Sequence, residues 1–307
     1  MSPTGENRAE SIRQRLRNRV RERGEDAQFA LQRYAAERFL YRLGVSPHRE
    51  RFVLKGAMLF RLWGSSMYRP TRDLDFTGYG SSEHEAVLAC FRDLCQAPEV
   101  DDSLVFDAHS LTVEEIKEDA EYGGIRVRFL AWLGKSRIQM QIDVGFGNAI
   151  HPGALDIEYP TLLDDPAPSI RAYPKEAVIA EKFQAMVQLG EGNSRIKDFY
   201  DVYVLGTRFA FDGEQLSRSI VATFERRRTS IDGGLPLALT PRFFANEVRA
   251  TMWRNYRTRN RLPGAPSDFA AVGELLRAFL GPIWNALTAK ERFAHTWQQG
   301  GRWEVAS

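Results

Sequence analysis

Apolar residues recur at helical spacing near the start of the chain and throughout its second half, and alternate at strand spacing in between. Ile12, Leu16 and Val20 stand four apart, and Phe29, Leu31, Tyr34, Phe39, Leu40 and Leu43 form a second stripe. This predicts two helices between Ser11 and about Leu43, parted near Gly24 and closed by Gly44 and Ser46-Pro47. Phe52-Val53-Leu54 predicts a short strand, followed by a turn at Lys55-Gly56-Ala57 and a helical stretch to about Trp63. A loop from Tyr68 enters a further strand at Asp73–Phe76, and Ser81 or Ser82 is placed to cap a helix running to about Gln96. Ser103–Thr112, Ile125–Leu133 and Arg137–Val144 predict three strands, the middle one alternating Ile125, Val127 and Phe129. Beyond an Asp- and Pro-rich loop at Asp164–Pro168 everything is helical: Lys175–Leu189, Ile196–Arg208, Gly213–Glu225, Arg242–Tyr256 and Phe269–Leu287. The pattern is that of an α+β chain. Helices over 1–50 pack on a mixed-sheet core over 51–170, and an all-α domain occupies 171–307.

Composition narrows the class without deciding it. With 307 residues, 43% hydrophobic and 27% charged, the chain falls within globular norms. No apolar run approaches the roughly eighteen residues of a membrane span, and the arginine-crowded Met1–Arg23 does not resemble a signal peptide. Cys90 and Cys95 are too few for a disulfide framework or a four-cysteine zinc site, so two reduced thiols and a cytoplasmic location are expected. The net charge of +2 gives no global argument for nucleic acid. Arginines at every second position from Arg13 to Arg23 wrap charge around a helix, which suits a solvated helix better than an RNA-contacting arm. Lysine is scarce, seven of 42 basic residues, so the positions of Lys55 and Lys182 gain interest.

Asp73-Leu74-Asp75 carries the first chemical signal. In a strand, residues two apart point to one face, so two carboxylates converge and repel unless a cation lies between them. With no thiolate cluster, a hard ion, Mg²⁺ or Mn²⁺, is the suitable partner. The strand Arg137–Val144 places Asp143 on its polar side with Gln139 and Gln141, adding a third carboxylate. Two ions so held can clamp the attacking and leaving oxygens of a phosphoryl displacement. Lys55-Gly56-Ala57, between strand and helix, suits backbone contact with phosphate but is no Walker A loop. Lys182 lies on a helix face with Lys175, Ile179, Phe183 and Met186, where a lysine needs an anionic partner. Asp198 and Asp201 open the next helix, where acids suit the dipole.

These segments together resemble the AbiEii/AbiGii-type nucleotidyltransferase toxins of toxin–antitoxin and phage-defence systems, within the DNA polymerase β-like nucleotidyltransferase superfamily. ERFLYRL (37–43), RFVLKGAMLF (51–60), YRPTRDLDF (68–76), QIDVGFG (141–147), YPKEAVIAEKFQAMV (173–187) and RIKDFYDVYVL (195–205) occur in the family's order. The resemblance implies a nucleotidyltransferase-like sheet and gives residues roles. Asp73, Asp75 and Asp143 hold the metal, Lys55 and Gly56 form the nucleotide-binding turn, and Thr71 precedes the metal motif. Lys182 and Asp198 hold the triphosphate and complete the active site. Ala57 departs from the family, which commonly has glycine or serine there, so only a backbone contact from this turn is expected.

The implied reaction moves a nucleoside monophosphate from an NTP to an acceptor hydroxyl and releases pyrophosphate. Characterised relatives imply the 3′ end of tRNA as acceptor and, as partner, an antitoxin with a winged-helix DNA-binding region. Arg226-Arg227-Arg228 and Arg254, Arg257, Arg259 and Arg261, the latter beside Trp253 and Tyr256, suit an RNA backbone with stacked bases. They equally suit an amphipathic helix with a solvated rim. Transfer to protein hydroxyls and a non-catalytic nucleotide-binding module are the alternative functions.

Overall fold

The computed structural model describes residues 3–23, 26–64, 71, 73–97, 100–117, 123–262 and 264–305. The expected break at Gly24 and most of the loop from Tyr68 to Arg72 lie outside them. The chain forms two compact units: one comprises Met1–Trp63, Thr71–Gly147 and Leu155–Ala172, the other chiefly Tyr173–Ser307 with Asn148–Ala154.

The first unit opens with helices α1 (Pro3–Arg23) and α2 (Ala27–Gly44) and continues through strand β1 (Phe52–Lys55). A 3₁₀ turn and a single helical turn, α3 (Leu59–Leu62), precede β2 (Leu74–Gly78) and α4 (His84–Cys95). The long strands β3 (Leu104–Lys117), β4 (Gly123–Leu133) and β5 (Ser136–Phe146) follow, then β6 (Leu155–Glu158) and β7 (Ser169–Ala172). The order across the seven-stranded sheet is β3-β4-β5-β2-β1-β7-β6. The pairs β2/β5 and β1/β7 run parallel and the remainder antiparallel. Ser81 and Ser82 do not cap α4; Glu83 occupies that position, and the Ser81 hydroxyl accepts the Glu83 N–H at 3.1 Å instead.

Alternation gives this sheet two different faces. Ile138, Met140, Ile142 and Val144 of β5 are buried with Ile125, Val127 and Phe129 of β4 and Leu74 and Phe76 of β2. Phe39 of α2 seals that side against Phe91, Phe106 and Phe129, with ring centroids 5.4–5.8 Å apart. The same helix carries buried charge. Asp102 accepts from Arg42 at 2.7 and 3.1 Å and from Arg38 at 3.1 Å, while Glu37 accepts from Arg33 and from the Leu162 N–H, each at 2.7 Å. Each of these carboxylates is satisfied by donors, as burial of a charge requires.

The second unit contains α5 (Lys175–Leu189), α6 (Ile196–Arg208), α7 (Gly213–Arg226), α8 (Pro241–Phe244), α9 (Glu247–Asn260) and α10 (Phe269–Ala289). One helix expected over Arg242–Tyr256 is two, because Asn246 caps a new start by accepting from the Val248 and Arg249 N–H groups. The all-α expectation needs one amendment: β8 (Phe211–Asp212), β9 (His295–Gln298) and β10 (Arg302–Val305) form a small sheet. Its strands are too short to show a period. The Trp297–Trp303 cross-strand pair, 5.3 Å apart, anchors them.

Candidate active site

The polar face of the first sheet is organised by register. Parallel pairing of β2 with β5 sets Asp75 beside Asp143. Beyond β5, Arg126 of β4 stands opposite Asp143, and Glu114 of β3 stands opposite Arg126. On the other side of β2, Lys55 stands opposite Asp75. Cross-strand partners share a face, so one row crosses five strands: Glu114, Arg126, Asp143, Asp75, Lys55. Charge alternates along it except at the centre, where two carboxylates adjoin on strands about 4.8 Å apart.

Arg126 grips Asp143 with a two-pronged contact, its Nε and Nη2 each 2.7 Å from a different carboxylate oxygen. Hydrogen bonding to Asp143 raises the guanidinium pKa further against the cost of burial, with the charges of Asp143, Glu114 and Asp73 adding to the effect. Glu114 lies 3.8 Å from Arg126 and 2.8 Å from Arg128, so it holds the far end of the row.

Gly56 follows Lys55 directly and has φ +76°. A Cβ there would lie 2.1 Å from Asp75 Oδ2, a distance no real side chain tolerates. The glycine therefore admits the Asp75 carboxylate. Only a 3₁₀ turn, Gly56–Met58, and the four-residue α3 follow, too short for a useful helix dipole, so any contact of this turn with phosphate rests on its backbone N–H groups. Ala57 is buried in that turn.

Asp73 precedes β2 and lines a cleft of about 570 Å³ with Ser110, Arg128, Arg137, Gln139 and Gln141. The Thr71 hydroxyl lies 3.5 Å from the Asp73 carbonyl oxygen. Among the described residues no three His, Cys, Asp or Glu side chains gather closely enough to enclose a metal ion. Of the expected trio, Asp75 and Asp143 adjoin by register, and Asp73 lines the cleft near enough for its charge to act on Arg126. A pair still suits Mg²⁺, which commonly takes one or two carboxylates and completes its shell with water and substrate phosphate.

In the second unit, Lys182 and Asp198 meet as the sequence grouped them, with Nζ 2.7 Å from Asp198 Oδ1. The same ammonium lies 2.8 Å from Asp201, and Arg195 lies 2.8 Å from Asp198. Burial alone pushes the Asp198 carboxyl up, but Lys182 and then Arg195 outweigh it and hold it below its ordinary value. Asp198 and Asp201 are therefore buried partners of Lys182, beyond any service to the helix dipole.

The arginine clusters divide. Arg226 and Arg228 are exposed, whereas Arg227 turns inward and donates to Gln184 at 2.9 Å. Arg254, Arg259 and Arg261 are exposed and Arg257 is half-buried. Trp253 is fully buried, donating to the Pro266 carbonyl and stacked on Phe269, so it cannot serve as a platform for bases. Tyr256, half-buried, stacks on Trp253. The aromatic half of the expected RNA motif thus belongs to the apolar interior.

Arg126 escaped sequence reasoning, yet its signal was present. Leu133 pairs with Ser136 across a two-residue turn at Gly134-Lys135, and counting back along that hairpin places Arg126 opposite Asp143.

The family model for the AbiEii nucleotidyl transferase toxins of type IV toxin–antitoxin systems matches residues 38–275. The chain belongs to this nucleotidyltransferase family. A comparison with curated proteins finds no match. Two solved structures from Helicobacter pylori are similar in part. One, a candidate nucleotidyltransferase, has 14% identity and TM-score 0.46, covering 85% of this chain and 95% of its own. JHP933 has 15% identity and TM-score 0.45, covering 85% and 92%. Likeness at that level carries no functional argument. Among the described residues no helix is long and apolar enough to cross a membrane.

Proposed function

We propose that this chain transfers a nucleoside monophosphate from an NTP to an RNA acceptor, the 3′ end of tRNA, releasing pyrophosphate and blocking translation. Its counterpart in the toxin–antitoxin pair is an antitoxin with a winged-helix DNA-binding region. The observation that carries the catalytic reading is the central break in the charge row, where Asp75 and Asp143 adjoin on neighbouring strands.

Asp75 and Asp143 would hold Mg²⁺ or Mn²⁺, which supplies charge neutralisation for the triphosphate and the departing pyrophosphate. The protein's own residues position the rest. Gly56 lets Asp75 lean over β1. Lys55, buried opposite Asp75, brings a fixed positive charge to the phosphate side. One of Asp73, Asp75 and Asp143 would take the acceptor proton, Asp143 once Arg126 yields an oxygen. Asp73, with Arg128 and Arg137 along the cleft, lines the path for an anionic substrate.

The test is incubation of purified protein with each labelled NTP, Mg²⁺, and either total tRNA or a protein lysate. Label on tRNA 3′ ends that Asp75→Asn abolishes is the expected result. Label confined to protein bands would overturn the tRNA assignment in favour of modified protein hydroxyls. Growth arrest that persists in Asp75→Asn cells would favour a non-catalytic binding role.

A further inference from the structure

Arg126 occupies a position that makes it more than a neighbour of the site. Its guanidinium takes one lone pair on each oxygen of Asp143, at 2.7 Å apiece, in the forked geometry that binds carboxylates most tightly. A cation seated between Asp75 and Asp143 draws on the same oxygens. It also meets a carboxylate whose charge is offset by the arginine beside it. Arg126 has somewhere else to turn, since Glu114 is its register partner on the other side and lies 3.8 Å away. Partial release of Asp143 therefore does not strand a buried cation, and both partners of the contact remain partly exposed to water.

We infer that Arg126 is a positioning residue that holds the Asp143 carboxylate in the nucleotide-free protein and keeps divalent-ion affinity low. On this inference the ion binds well only with the triphosphate, whose oxygens complete the shell that Asp143, shared with Arg126, does not. The inference rests on the proposed role of Asp75 and Asp143.

The test is titration of nucleotide-free protein with Mn²⁺, read as free ion by electron paramagnetic resonance, for wild type, Arg126→Met, Arg126→Lys and Asp75→Asn. Removing a cation that competes for the same two oxygens acts opposite to the usual loss of an orienting outer partner, so Arg126→Met is expected to bind Mn²⁺ about tenfold more tightly than wild type. Arg126→Lys, which keeps the charge but loses the fork, is expected to fall between them. A gain in affinity cannot arise from loss of structure. If Arg126→Met fails to fold, the lysine variant carries the test alone. Equal or weaker binding in the folded arginine variants, or none in any protein, overturns the inference. If Asp75→Asn binds Mn²⁺ as wild type does, the assignment of the site itself fails, whatever the arginine variants show.

Discussion

Gly56 and Asp75 are fitted to one another across two antiparallel strands. A methyl group on the glycine would lie 2.1 Å from the aspartate's Oδ2 and 2.9 Å from its Cβ. Gly56 also has φ +76°, a conformation that L side chains rarely adopt. Gly56→Ala is therefore expected to lose about 1–3 kcal/mol of stability from backbone strain alone. The larger effect falls on activity, because the methyl pushes Asp75 out of place. A displacement near 1 Å costs roughly 100-fold in rate. Comparing nucleotide transfer with chemical unfolding separates the two: activity that falls no further than the folded fraction would show that Asp75 tolerates the move.

The same pair shows what can be read from a sequence and what cannot. Asp75 and Asp143 stand out because each sits at a polar position in a strand of apolar alternation, and strand period alone assigns them a face. That they adjoin depends on β2 pairing parallel with β5 across more than sixty residues of chain, and no local pattern fixes that pairing. Lys175–Leu189 matches α5 end to end, because Pro174 at its start and Gly190 past its end leave little freedom, and Ile196–Arg208 matches α6 as well. The small sheet of the second unit was invisible for the opposite reason, its strands spanning only two to four residues. Trp253 misled because an aromatic beside arginines has the same pattern whether it faces solvent or the interior.

Lys182 supports a different prediction. Its ammonium is shared by the buried Asp198 and Asp201, with Arg195 and Lys197 as further cations acting on Asp198. Removing one member of a buried charge cluster leaves the others uncompensated, so Lys182→Met is expected to destabilise by about 3–5 kcal/mol in urea unfolding. Asp198 adds a pH signature. Its folded pKa lies below the ordinary 3.8, so its contribution is complete above that value and is lost as pH falls through the folded pKa. Asp198→Asn should flatten the acid limb of the stability curve. A Lys182→Met protein of wild-type stability that transfers no nucleotide would instead make Lys182 a substrate-binding residue.

Glu37 predicts the opposite slope. Burial is the largest influence on it and pushes the carboxyl from 4.5 to about 7, against the pull of Arg33, the Leu162 N–H and Arg38. A group raised in the folded state contributes stability that is complete below the unfolded pKa and is lost as pH rises through the folded one. The first unit should therefore weaken between about pH 4.5 and 7 by up to about 3 kcal/mol. Thermal unfolding across that range should show the decline in wild type and a flatter profile in Glu37→Gln. The same slope in both proteins would place its origin elsewhere.

The exposed Arg254 and Arg259 of α9, with Arg226, Arg228 and Arg261, remain the part of the expected RNA surface that faces solvent. Phosphate neutralisation by such residues leaves a mark that depends on salt more than on sequence. Each arginine withdrawn from a phosphate lowers the slope of log affinity against log salt by about 0.7–0.9. Arg254→Gln combined with Arg259→Gln is expected to weaken tRNA binding and to reduce that slope by about 1.4–1.8 if both touch the backbone. Arg227→Gln provides the contrast, since that side chain donates to Gln184 within its own unit. It should alter stability and leave the salt slope alone. Trp253→Ala should cost about 3–5 kcal/mol through the cavity it opens, because the indole is fully buried against Phe269 and Tyr256. An unchanged slope in the Arg254/Arg259 double variant, with binding intact, would make this rim a solvated helix face and move the RNA-binding surface elsewhere on the protein.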